Sequence, residues 1–129
     1  MQIVRAMGLF VPFLLAGCEL NYACVSVTPF IVEVTVSDSA TGTLLPAATG
    51  VVTPLSSRTT DDGDTHALVP AGNAVLATGG PAGRYAVRIT HDGYATWEAT
   101  DIVVRDDGNP CHQVDTVHLD ARLARISSP

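Results

Sequence analysis

The chain contains no lysine, and aromatic residues make up only 5% of its 129 positions. Seven arginines are its only strong cations against 13 carboxylates, for a formal charge of −6. Phosphate recognition needs clustered cations, so scattered Arg on an acidic chain argues against a nucleic-acid partner. Charged residues of all kinds are scarce at 16%, and the abundance of Val and Thr excludes disorder by composition. A two-domain enzyme is excluded by length, because 129 residues provide one domain and one modest core. Convincing helical periodicity is missing, as is any place for a βαβ crossover. What remains is a small all-β domain.

The N-terminus carries the first positive feature. Arg5 precedes an apolar run over residues 9–15, interrupted by Pro12, and the run ends in Leu15-Ala16-Gly17-Cys18. A basic start, an apolar stretch and small residues before a cut are the three parts of a secretory signal. The run is far short of the roughly 20 residues that a membrane-crossing helix needs. Leu15-Ala16-Gly17-Cys18 also matches the lipobox of bacterial lipoproteins. That resemblance implies a signal peptide at residues 1–17, transfer of a diacylglyceryl group to the Cys18 thiol, and a lipidated N-terminus with a short tether at residues 18–23. Each buried methylene contributes about 0.8 kcal/mol, so two or three acyl chains at Cys18 hold the protein at a lipid bilayer without spanning it. Glu19, in place of an Asp after the cysteine, resembles the outer-membrane sorting pattern, which implies the periplasmic face of the outer membrane. Loss of Arg5 leaves the mature chain still more acidic, so it is expected to stand off an anionic surface. The alternative is a soluble secreted segment or a core segment with an incidental cysteine.

With Cys18 lipidated, Cys24 and Cys111 remain, and an even pair in an oxidising compartment suggests a disulfide. Closing so long a loop is worth about 4–5 kcal/mol in the chain-entropy treatment. Two buried free thiols, or a metal-binding or nucleophilic cysteine, are the rival readings. Cys111 and His112 are adjacent and point to opposite faces of a strand, which argues against a Cys-His pair there.

The rest reads as short strands. Phe30, Val32, Val34 and Val36 alternate with Ile31, Glu33, Thr35 and Ser37, up to the turn Asp38-Ser39-Ala40-Thr41-Gly42. Further strands are expected at residues 49–53, 65–69 and 74–78, with an exposed loop at residues 56–64. Tyr85, Val87 and Ile89 give the clearest alternation, followed by the turn His91-Asp92-Gly93, then Tyr94, Trp97 and the run Ile102-Val103-Val104. A final strand is expected at residues 112–119, with Asp115, Val117 and Leu119 on one face. Seven short strands at this spacing favour a sandwich.

Val34-Thr35-Val36-Ser37-Asp38-Ser39-Ala40-Thr41-Gly42, Leu45-Pro46-Ala47-Ala48, Gly83-Arg84-Tyr85-Ala86-Val87-Arg88-Ile89, Gly93-Tyr94 and Val117-His118-Leu119 together resemble the carboxypeptidase regulatory-like domain. The resemblance covers about residues 30–120. It implies an all-β, seven-stranded prealbumin-like (transthyretin-like) Greek-key sandwich, here over residues 24–122 with a tail at 123–129. The segment at residues 56–64 is longer than in the family pattern, and the cysteine pair lies outside it. Asp38 is expected to accept turn amides, Gly42 to take positive φ, Gly83 and Gly93 to serve tight turns, and Tyr85 and Tyr94 to need hydroxyl partners if buried.

Candidates for chemistry are few. Asp61, Asp62 and Asp64 could offer oxygen ligands to calcium but lack the spacing of an EF-hand, so a solvated acidic loop is the simpler reading. His66, His91, His112 and His118 form no zinc-binding spacing; His112 and His118 would stand roughly 20 Å apart along one strand. There is no Gly-x-Ser-x-Gly elbow and no phosphate-binding glycine loop. The family resembled can accompany metallocarboxypeptidases, yet no catalytic domain is present, and the C-terminal Tyr-Arg-Gly-Ser of the related hydroxyisourate hydrolases is absent from a chain ending Arg125-Ile126-Ser127-Ser128-Pro129. The expectation is a non-catalytic lipoprotein without metal or cofactor, serving as a structural module or binding an envelope protein. The alternative is a glycan-binding module with Trp97 or Tyr94 as its stacking platform; a packed Trp97 would favour the former and an exposed one the latter.

Overall fold

The computed structural model describes residues 30–57, 64–106, 108 and 114–127. Over these the chain is all-β, with eight strands: β1 (Val32–Asp38), β2 (Thr49–Ser57), β3 (His66–Ala67), β4 (Val69–Gly72), β5 (Val75–Thr78), β6 (Gly83–Thr90), β7 (Trp97–Val104) and β8 (Val117–Leu123). They form two four-stranded sheets in a sandwich-like arrangement, β4-β5-β1-β8 and β3-β2-β6-β7. The first is called sheet I below and the second sheet II.

The period-two patterns explain the core. Val32, Val34 and Val36 of β1 are buried on one side, and Tyr85, Val87 and Ile89 of β6 face them from the other sheet. β-branched side chains suit both strands because their restricted rotamers fit a pleated surface. Each fully buried Val or Ile contributes about 1.5–3 kcal/mol relative to exposure. The start of β1 departs from the expected alternation. Ile31 is fully buried and Phe30 stays at the surface, because residue 31 precedes the regular strand, with its amide donating to the Thr78 carbonyl.

One expected strand, at residues 65–69, is two. His66 and Ala67 pair with β2, whereas Val69 to Gly72 pair with β5 in the opposite sheet. Between them Leu68 is buried, and its amide donates to the Gly50 carbonyl at 2.8 Å. The chain changes sheets at this residue, so a single apolar run serves both layers. Gly50 permits the crossing: a Cβ there would lie 2.6 Å from both Leu68 Cδ1 and Ile89 Cδ1. The two strand prolines occupy tolerant places, Pro70 on edge strand β4 and Pro54 at the bulge of β2.

The last strand also begins later and ends later than expected. β8 runs parallel to β1, in register from Val32↔Val117 to Asp38↔Leu123. Its inward row continues through Ala121 and Leu123, both buried. The interposed Asp120 and Arg122 hide that continuation from a reading by hydropathy. Asp115 lies exposed before the strand rather than on the core face, and its amide donates to the Arg105 carbonyl. Gly42 and Gly93 have positive φ of 73° and 82°, as their turns require; Gly83 instead starts β6. The signal peptide and tether at residues 1–23, and the three cysteines Cys18, Cys24 and Cys111, lie outside the described residues.

Candidate functional site

Asp38 is the last residue of β1 and continues the inward row of Val32, Val34 and Val36. It is therefore a carboxylate where alternation demands an apolar side chain, and it is 1% exposed. Burying a charge costs much unless it is paired and hydrogen-bonded, and here every acceptor position is used. Oδ1 accepts the amides of Ala40 at 2.8 Å and Thr41 at 3.0 Å, an Asx-type closure of the turn. Oδ2 accepts the Tyr94 hydroxyl and the Arg125 Nε–H, each at 2.8 Å.

Three separate chain segments supply these donors. The turn after β1 folds onto itself through Gly42, whose amide donates to the Asp38 carbonyl. Tyr94 sits in the turn after β6. Beyond β8 the chain leaves sheet I and pairs with that turn: Ala95 N donates to Ala124 O, and Ile126 N to Gly93 O, forming a bridge between Tyr94 and Arg125. The Arg125 guanidinium lies 5.9 Å from the centre of the Tyr94 ring, within cation–π range. His91 meets the same ring edge-on, with centroids 5.2 Å apart.

The Arg125 guanidinium, followed by the Tyr94 hydroxyl and the Thr41 amide, holds the Asp38 carboxyl well below the usual carboxylate range, against a smaller opposing effect of burial. Asp38 in turn raises the Arg125 guanidinium further, with help from Tyr94. A general acid or base must exchange protons near the working pH and reach its substrate. Asp38 stays ionised, and its oxygens have about four acceptor sites, all engaged. Its geometry serves to join the ends of β1, β6 and β8.

The residues singled out in the sequence divide accordingly. Asp38 does accept turn amides, and Tyr94 finds its hydroxyl partner in that same carboxylate. Tyr85 donates to the Pro81 carbonyl. Arg125 was not singled out, because nothing in a terminal Ala-Arg-Ile signals a partner 87 positions away. Trp97 starts β7 opposite Ile89 and is half-buried against the core, as is Tyr94. Neither ring is an open stacking platform. His118 pairs with Glu33 across β8 and β1 at 3.1 Å, and His66 lies on edge strand β3. Asp61, Asp62 and His112 fall outside the described residues, while Asp64 is exposed. Among the described residues, no three His, Cys, Asp or Glu side chains converge on a common point, and no buried side-chain nitrogen or oxygen lacks a partner.

The outer face of sheet II carries an accessible surface of mixed chemistry. Val51, Thr53, Ala86 and Arg88 line a shallow groove there, bordered by Thr65, Glu98 and Thr100. Arg88 Nε donates to Glu98 at 2.7 Å, and Arg84 pairs with Asp101. Thr49 with Thr90, and Thr53 with Thr65, share hydroxyl hydrogen bonds. The face mixes hydroxyls and paired charges with apolar Val51, Ala86 and the exposed Leu55 and Val103, and its two ion pairs cancel in charge.

No protein-family model matches the chain, and no curated protein matches it either.

Proposed function

We propose that this chain is a non-catalytic β-sandwich module of a bacterial envelope, anchored in the bilayer through acylated Cys18 and presenting its sandwich to an envelope protein. The single observation that carries the non-catalytic reading is the saturation of Asp38. The one buried carboxylate among the described residues has both oxygens committed to the fold, and no buried side-chain nitrogen or oxygen among those residues lacks a partner. Anchoring is supported by the sequence Leu15-Ala16-Gly17-Cys18 behind a short apolar run. The carboxypeptidase regulatory-like resemblance is supported by the meeting of two of its motifs, since Asp38 of the first turn receives the hydroxyl of Tyr94 from the Gly-Tyr turn.

A protein partner is favoured over a glycan because Trp97 and Tyr94 are packed against the core, whereas sheet II offers paired charges and hydroxyls of the kind that fix orientation between proteins. The test has two parts. Labelled palmitate should enter the wild-type protein and not Cys18→Ala; equal labelling of both removes the anchor. Crosslinking in intact cells should capture one reproducible envelope protein with the anchored form and lose it with a soluble form lacking residues 1–18. Retention of the domain on purified envelope glycan without any protein adduct would replace the interaction reading with a glycan-binding one.

A further inference from the structure

The turn after β6 contains a histidine whose two ring nitrogens face acceptors only. His91 Nε2 lies 2.9 Å from the carbonyl oxygen of Pro46, and Nδ1 lies 2.9 Å from that of Asp92. A carbonyl oxygen cannot donate, and a neutral imidazole carries a single N–H. Only the doubly protonated ring makes both hydrogen bonds, and in the neutral ring one contact becomes lone pair against lone pair. We propose that His91 is a proton-operated clip, closed in the imidazolium form, that ties the connector before β2 to the turn after β6.

The position gives the clip a defined job. β2 and β6 pair antiparallel, with Thr49↔Thr90 as the end of their ladder, and the Thr49 and Thr90 hydroxyls are joined at 2.9 Å. Pro46 lies just before this end and His91 just after it, so the clip extends the ladder beyond its last backbone pair. Between Pro46 and β2 the chain passes through Ala47 at φ 66°, an uncommon backbone state for a residue with a Cβ. The His91–Pro46 bond holds this connector against the neighbouring turn.

Several charged or titratable groups surround the ring. On its own turn are the Asp92 carboxylate and the Tyr94 phenol, whose ring it meets edge-on. From beyond β8 comes the Arg125 guanidinium, and from the end of β1 the Asp38 carboxylate, the latter two paired with each other. The connector before β2 contributes Leu45, Pro46, Ala47 and Ala48, none of which titrates. Histidine is the side chain whose charge ordinarily changes between about pH 5 and 8. The clip is complete in the doubly protonated ring and lacks one hydrogen bond in the neutral ring.

The test compares full-length wild type with His91→Gln in detergent at pH 5 and pH 8, reading the unfolding equilibrium by denaturant titration. A glutamine amide cannot donate to two carbonyls on opposite sides. The ratio of the two unfolding constants should change by roughly two- to tenfold between the pH values, the worth of one hydrogen bond. His118→Gln, which removes a histidine paired instead with the Glu33 side chain, should leave the His91-dependent change in place. A ratio that is equal at both pH values overturns the clip. Nitrogen-edited NMR of the unmodified protein gives an independent reading: two exchange-protected ring N–H signals from His91 at pH 5 are expected, and a ring with one or none protected overturns the proposal.

Discussion

Arg125 and Asp38 are separated by 87 positions in the chain, yet the guanidinium Nε donates to the carboxylate at 2.8 Å. The carboxylate is buried, the guanidinium mostly exposed, and the Tyr94 hydroxyl shares the same oxygen. The contact converts the end of the last strand into a fastening for the first.

Asp38 should govern the acid limb of the stability profile. Its pKa is depressed in the folded state, so its contribution is complete above the ordinary value of 3.8 and is lost progressively as pH falls below it. Asp38→Asn should lower stability at neutral pH and flatten the decline below about pH 4. Denaturant titrations at pH 7, 4 and 3 check this; parallel acid limbs in both proteins would contradict the assignment.

Tyr94→Phe removes one donor from that carboxylate while keeping the ring beside His91. A hydrogen bond to a charged group is worth about 1.5–3 kcal/mol, and a loss of this size is expected in the unfolding free energy. Arg125→Ala should act in the same direction. The double variant should fall short of the sum of the two, because both side chains serve one oxygen.

Gly50→Ala should destabilise. The added methyl would meet Leu68 and Ile89 at 2.6 Å, both buried in the core, and overpacking of this sort costs about 1–3 kcal/mol. Thermal melting of the variant beside Gly79→Ala, where a Cβ meets nothing within 4 Å, separates the crowding from a general glycine effect.

Cys24 and Cys111 should appear joined in a non-reducing peptide map of protein recovered from an oxidising compartment. Replacing both by Ser should cost about 2–5 kcal/mol. Two alkylatable thiols in the native protein would rule out the bond.

Much of the sandwich was legible because strands announce themselves through alternation. Tyr85, Val87 and Ile89 mark β6 directly, and Val32, Val34 and Val36 mark β1. Two strand boundaries were not legible, for different reasons. Leu68 lies within an unbroken run, and only pairing partners reveal that the chain changes sheets there. Ala121 is too small to stand out between Asp120 and Arg122, although parallel pairing with β1 buries it fully. The Asp38 cluster was half legible. A turn aspartate predicts amide acceptors, and a half-buried tyrosine predicts a hydroxyl partner, but local patterns carry no information that one satisfies the other. Arg125 completes the set through a contact that depends on the whole topology.

Parallel pairing of β1 with β8 has a mechanical consequence. The start of β1 and the end of β8 lie at opposite ends of one ladder, seven residues long on each strand. Tension applied before Val32 and after Leu123 would run along both strands and try to slide one past the other. The ladder's hydrogen bonds then bear the load together, in shear, whereas strands pulled from a shared end would peel apart one bond at a time. The parallel register from Val32↔Val117 to Asp38↔Leu123 therefore sets the seam against sliding rather than peeling.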